Sequence, residues 1–172
     1  MSKVLGKSVL IREMEESELE LVRQVLVESY VQYKEHFERD AWETYFLQVK
    51  ASVENENIDK LYIAQYEDEI VGTMQLFRSS DEAYDLPELD IQAPIIRFLA
   101  VHPHGRGLGV AKKLIDKAVT YTEDIEAEGV YLHTSDVMER AIYLYEKYGF
   151  IREESQDFKN GSKQIMCYKY LI

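Results

Sequence analysis

The stretch Arg97–Ile115, RFLAVHPHGRGLGVAKKLI, decides how the rest of the chain is read. Phe98–Val101 is an apolar run with the look of a buried strand. It breaks at His102-Pro103, because proline lacks a backbone donor and biases the residue before it away from helix. Gly105, Gly107 and Gly109 follow at alternate positions, and a helical pattern opens at Val110. A strand, a glycine-rich turn and a helix start aim several N–H groups and the positive end of a helix dipole at one place. Such a place binds phosphate.

Working outward, Ser8–Glu13 reads as a short strand, and Ser17-x-x-Glu20 has the form of a capping box. Leu19, Val22, Val25 and Leu26 then fall at helical spacing, predicting an amphipathic helix to about Tyr33. A second helix opens near Asp40, with Trp42, Tyr45, Phe46, Val49 and Val53 on its apolar side. Lys60–Glu67 and Ile70–Arg78 predict a hairpin across Asp68-Glu69. Ser79–Asp90 is acidic and irregular, and loops of this kind are more often functional or mobile than packed.

Beyond the central turn, a helix is expected to Ile125 and a strand at Val130–His133. Asp136 is placed to cap a helix that Gly149 ends. Asn160-Gly161 then marks a hairpin between two final strands. The order predicts an α/β (α+β) fold: a mixed, mostly antiparallel twisted sheet of about seven strands flanked by four helices. Neither a repeat nor a low-complexity tract interrupts residues 1–172, so a single domain is expected.

With 20 basic against 32 acidic residues, the net charge of −12 argues against nucleic acid or an anionic membrane as partner. The same balance suits a cationic substrate or simply a soluble protein. The lone Cys167 excludes an internal disulfide and offers no metal-site spacing, so no metal is expected. The N-terminal MSKVLGKSVLIRE holds no apolar segment of signal-peptide length, and no run approaches a membrane span. A cytoplasmic protein is expected.

GxxxxGK[ST] is absent, and Gly105-x-Gly107-x-Gly109 lacks the third glycine of the dinucleotide fingerprint at its offset. What the turn does resemble is the acetyl-CoA signature of the GNAT superfamily of N-acetyltransferases, Arg/Gln-x-x-Gly-x-Gly/Ala, as Arg106-Gly107-Leu108-Gly109-Val110-Ala111. A second segment, Ala141-Ile142-Tyr143-Leu144-Tyr145-Glu146-Lys147-Tyr148-Gly149-Phe150, is similar to that family's A-x-x-L-Y-x-K-x-G-F. The element order over nearly the whole chain also agrees.

The resemblance implies a GNAT-like fold and N-acetyl transfer from acetyl-CoA to a primary amine of a small molecule or peptide, by direct attack in a ternary complex. It implies that the amides of Gly107, Leu108, Gly109, Val110 and Ala111 hold the coenzyme A pyrophosphate, with glycine allowing close approach. Backbone groups of Leu99, Ala100 and Val101 would line the pantetheine arm. Arg106 would add charge or shape the turn, and Lys112, with Lys113, would face the 3′-phosphate unless merely solvated. Tyr145 matches a tyrosine near the coenzyme sulfur, where a phenol of pKa near 10 can protonate the departing thiolate; packing is its other role. A homodimer is compatible with this reading.

Two positions depart from the family pattern. Met138 stands where many members have asparagine, and Ala93-Pro94-Ile95-Ile96 carries no carboxylate where many have a basic glutamate. The amine's proton then goes to water or to a carboxylate from elsewhere, Glu88 or Asp90. These departures keep open the alternative of a noncatalytic acyl-CoA-binding regulatory module. Tyr30, Tyr33, His36, Phe37 and Trp42 fall where the family builds its acceptor pocket, although aromatic stripes are more often core.

Overall fold

The computed structural model describes residues 8–172; Met1–Lys7, part of the N-terminal stretch read above, lie outside the described residues. In chain order the elements are β1 (Leu10–Glu13), α1 (Leu19–Tyr30), α2 (Arg39–Ala51), β2 (Lys60–Tyr66), β3 (Glu69–Phe77), α3 (Ser80–Ala83) and β4 (Ile95–Val101). There follow α4 (Val110–Asp124), β5 (Gly129–Ser135), α5 (Glu139–Tyr148), β6 (Ile151–Arg152), β7 (Phe158–Asn160) and β8 (Lys163–Leu171). The strands form one sheet in the order β1-β2-β3-β4-β5-β8-β6, with β7 also on β8. β4 and β5 are parallel, while β1–β2, β5–β8, β6–β8 and β7–β8 are antiparallel. This is the expected mixed sheet, with an eighth strand and a fifth, four-residue helix. None of the helices is long and apolar enough to cross a membrane, among the described residues.

The chain divides into two compact units. The first holds the described chain up to Glu56, Lys60–Gln75 and Phe98–Lys117. Its helix α1 buries Val22, Val25, Leu26 and Ser29, the spacing that puts one face inward. Ser17 does not cap that helix as expected. The chain instead turns through a 3-10 segment, Glu16–Glu18, in which the Glu18 carboxylate accepts from the Glu15 N–H at 2.8 Å. Arg12 on β1 also grips Glu18 with both guanidinium arms, at 2.9 and 2.7 Å. A charged bidentate partner outcompetes a neutral hydroxyl for this corner.

The second unit holds Asn57–Asp59, Leu76–Arg97 and Ala118–Ile172. Phe77, Ala83, Ile91, Ile95 and Cys167 form one of its core clusters. Cys167 is fully buried, and burial pushes its thiol up to about 12, which leaves it unreactive. The acidic Ser79–Asp90 stretch is packed rather than loose. The Ser80 N–H donates to the Ile91 carbonyl and the Ser80 hydroxyl accepts the Ile91 N–H, while Ala83, Leu89 and Ile91 are buried. At the far end, Gly161 takes φ 63° in the Asn160-Gly161 hairpin, as expected. The N-cap of α5 is Met138, not Asp136, because the Met138 N–H returns to the Ser135 carbonyl and starts the turn two residues later.

Arg12 holds the Glu18 carboxyl far below its ordinary range, at about 2, with the Glu15 N–H helping. A depressed folded-state pKa adds stability that is present above the unfolded value and lost as pH falls through the folded one. Glu18→Gln is therefore expected to lower the melting temperature at pH 7 and to flatten its decline between about pH 4.5 and 2. Thermal melts of both proteins across that range check this.

Candidate active site

The candidate site grows from β4 and the turn that follows it. β4 pairs with β5 through Ile95↔Tyr131 and Ile96↔Leu132. Two residues on, Phe98 takes φ 51°, a left-handed conformation that bends an otherwise extended strand. A bulky residue held there costs about 1–3 kcal/mol, so something fixes it. Its ring meets Tyr30 at the end of α1, with centroids 6.1 Å apart and edge-on. Leu99, Ala100 and Val101 follow, of which Ala100 is buried and the other two are partly exposed.

After Val101 the turn is built from short-range bonds. Pro103–Gly105 form a single 3-10 turn with His102 as N-cap, its ring accepting the His104 N–H. The His102 N–H itself bonds the Val71 carbonyl on β3 at 2.8 Å. Gly105 lies so close to Val71 that an added Cβ would meet that residue at 2.9 Å. Gly72 is equally crowded: its Cβ would sit 2.7 Å from Val110 and 3.1 Å from the Ala100 carbonyl. Thus β3 is the bed on which both ends of the turn lie.

The next glycines have the opposite character. Gly107 and Gly109 take φ 81° and 72°, and among the described residues nothing beyond their chain neighbours lies within 4 Å of a Cβ built on either. Glycine is required here by conformation and leaves open space in front of the backbone. α4 begins directly after, with the Lys113 N–H on the Gly109 carbonyl. The N–H groups of Val110, Ala111 and Lys112 therefore precede any intrahelical partner. A left-handed glycine pair followed by three such donors is an arrangement suited to an anion such as phosphate. Lys112 is exposed and pairs with Asp116 at 3.2 Å, and Arg106 reaches the Gln32 amide oxygen at 3.4 Å.

The Acetyltransferase (GNAT) family profile matches residues 19–150. The chain belongs to this family. No curated protein sequence matches it. Among solved structures it is similar to the PaiA N-acetyltransferase of Thermoplasma acidophilum in complex with coenzyme A, at 20% identity over 95% of this chain and 99% of that one, with a TM-score of 0.68. A GNAT-family acetyltransferase of Staphylococcus aureus gives 21% identity, the same coverages and 0.68. A histone acetyltransferase HPA2-related structure from Corynebacterium glutamicum gives 16% over 94% and 95% of the two chains, with 0.69. At these identities the structures establish a shared fold. The family makes the protein an acyltransferase, and GNAT enzymes use acetyl-CoA.

In this GNAT protein the expected aromatic wall is a packed cluster in the first unit. Phe37 stacks on Tyr45 with centroids 5.1 Å apart and meets Trp42 at 5.6 Å, while Tyr30 touches Tyr33 and Tyr45. Tyr30 and Trp42 are buried, and His36 is exposed. In the second unit, Tyr145 is buried on α5 against Phe150, at 5.8 Å. Glu88 and Asp90 are both exposed, and the Asp90 carboxylate accepts from Gln92. Among the described residues, no group of three or more His, Cys, Asp or Glu could hold a metal ion.

One partly buried polar pair had no sequence signature. Tyr84 Oη lies 3.1 Å from His133 Nδ1, and His133 Nε2 lies 2.8 Å from the Gln156 carbonyl. A carbonyl only accepts, so Nε2 carries the proton and Nδ1 receives the phenol's hydrogen. Burial raises the Tyr84 hydroxyl to about 12 and lowers the His133 imidazole, and both stay neutral. With both ring nitrogens engaged, the pair pins the segment after α3 to β5. Arg97 lies over the Tyr84 ring at 4.5 Å and donates to the Ala83 carbonyl.

Gly72 provides a test of the bed beneath the turn. Gly72→Ala drives a methyl into Val110 and the Ala100 carbonyl, and is expected to cost about 1–3 kcal/mol. Urea unfolding should show a lower midpoint at unchanged slope.

Proposed function

We propose that the chain is an N-acetyltransferase domain that passes the acetyl group of acetyl-CoA to a primary amine of a small molecule or peptide in a ternary complex. The observation that carries this is the open space before Gly107 and Gly109, at the start of α4 and on the family's signature. The amides of Gly107–Ala111 hold the pyrophosphate, and Leu99–Val101 line the pantetheine arm. The amine nitrogen attacks the acetyl carbon, the C–S bond breaks, and the thiolate takes a proton from the Tyr145 hydroxyl. The amine gives up one proton and Tyr145 regains one from solvent, so the products are the amide and the free thiol and the phenol is restored. With Glu88 and Asp90 exposed and no carboxylate on β4, the amine's proton goes to solvent.

The acceptor attacks as the neutral amine, received at the edge of the aromatic cluster between α1 and α2, where Tyr33 and Phe37 are partly exposed. The protein acts in the cytoplasm, with neither nucleic acid nor membrane as partner. Holding both reactants in place replaces a bimolecular encounter by a local one, which supplies much of the rate.

Thiol release from acetyl-CoA across amines, amino acids and peptides tests the reading. Tyr145→Phe removes one oxygen, keeps the ring against Phe150, and is expected to lower kcat by roughly 10²-fold with little change in melting temperature. With solvent as base, kcat/KM should climb toward the amine's own pKa, near 10 for an aliphatic amine. A plateau below pH 7 would instead reveal an enzymic base. Gly109→Val should abolish stabilisation by coenzyme A. Stabilisation by acetyl-CoA without turnover on any amine would favour a regulatory binding module.

A further inference from the structure

Four residues tie the end of α1 to the turn that follows β4. His102 Nε2 lies 2.5 Å from the Glu28 carboxylate, and four residues further along each segment Arg106 donates to Gln32. Because His102 Nδ1 accepts the His104 N–H at 3.1 Å, that nitrogen carries no proton. The ring is therefore the Nε2–H form, donating to Glu28. One imidazole thus does two jobs: it caps the 3-10 turn from inside and fastens it to α1 from outside. Its side chain is only 12% exposed, against 45% for Glu28. Glu28 is held in turn by Gln24, whose amide donates to it at 2.5 Å, and its pKa is lowered by Gln24 first and by His102 second.

We propose that His102, fastened by Glu28, is a positioning residue that fixes the cofactor turn in its binding conformation. This rests on the reading that coenzyme A pyrophosphate lies on Gly107–Ala111. The first part of the turn is held by short bonds, Gly105 N–H to the His102 carbonyl at 2.7 Å and His102 N–H to Val71 at 2.8 Å. The part leading to the glycines needs an outside anchor because it has only long ones: Arg106 N–H to Pro103 at 3.3 Å and Leu108 N–H to Gly105 at 3.4 Å. Two left-handed glycines follow, with no side chains to pack. Without the anchor, the turn samples other conformations and the donors point at the phosphates for a smaller fraction of the time, which weakens binding in proportion.

Charge makes the inference separable from simple electrostatics. Glu28 is an anion near a proposed anion site, so removing its charge alone should tighten coenzyme A binding. Positioning gives the opposite sign for Glu28→Ala. Glu28→Gln keeps an acceptor for the His102 N–H, and so should retain the anchor. His102→Asn keeps an oxygen to accept the His104 N–H, as short polar caps do, and is too short to reach α1.

The experiment measures coenzyme A affinity by calorimetry, with KM for acetyl-CoA and kcat, for the wild type and these variants. Glu28→Ala and His102→Asn should each weaken coenzyme A by roughly tenfold, the size of one charge-assisted hydrogen bond, with kcat within about twofold. The double variant should be no weaker than either single one, since both break the same bond. Glu28→Gln should bind within about twofold of wild type. A residue of purely structural worth would lower the melting temperature of the free protein and leave affinity unchanged well below it. That outcome, or tighter binding in Glu28→Ala, overturns the proposal while leaving the cofactor site intact. Absence of binding by the wild type overturns both.

Discussion

The backbone geometry at Gly107 and Gly109 is the constraint on which the rest of the site depends. Left-handed φ at both lets the chain leave β4, turn once, and enter α4 with its first N–H groups unspent. Any Cβ there would cost about 1–2 kcal/mol per position and would stand in the open space before the donors. The turn is supported from below by close approach to β3, where Gly72 and Gly105 leave no room for a Cβ. Crowding under the turn and emptiness in front of it are complementary requirements. Glycine answers both, for opposite reasons.

Overall charge works against the proposed cofactor. A net −12 protein repels a polyphosphate, and at physiological salt that repulsion is felt within roughly 8 Å. Binding must then come from donors in contact with the phosphates. The cations nearest in sequence are partly committed elsewhere, Lys112 to Asp116 and Arg106 to Gln32. Backbone amides have no such competitors, and their dipoles are fixed by the helix rather than by a flexible side chain.

Much of this was legible in the sequence where the signal is local. The strand–turn–helix at Phe98–Val110, the hairpin at Asn160-Gly161 and the stop at Gly149 each follow from residues within a few positions of one another. The hairpin expected across Asp68-Glu69 turns one residue earlier, at Glu67-Asp68, with Glu67 at φ 56°. What was not legible depends on partners distant in the chain. Ser17 lost its capping role because Arg12 claims Glu18. The acidic Ser79–Asp90 stretch looks loose until Ser80 is seen bonded to Ile91. The left-handed Phe98 is invisible to periodicity, since its ring is held by Tyr30 sixty-eight residues earlier. His133 showed no partner pattern because Tyr84 and Gln156 come from other elements altogether.

α1 is where local and distant signals meet. One face, Val22, Val25 and Leu26, is written in the 3.6-residue period and serves the core. Its last turn is written in no period at all: Tyr30 supports Phe98, and Glu28, with Gln32 just past the helix end, reaches His102 and Arg106. All these contacts fall on β4 or the turn after it, so the helix end sets the conformation of residues 98 to 106 from outside. A helix placed only by hydrophobic burial could rotate or slide by a fraction of a turn at modest cost. One whose end also carries a hydrogen bond to a carboxylate, a hydrogen bond to an amide oxygen and an aromatic edge contact to the same short segment cannot, because each depends on the same register.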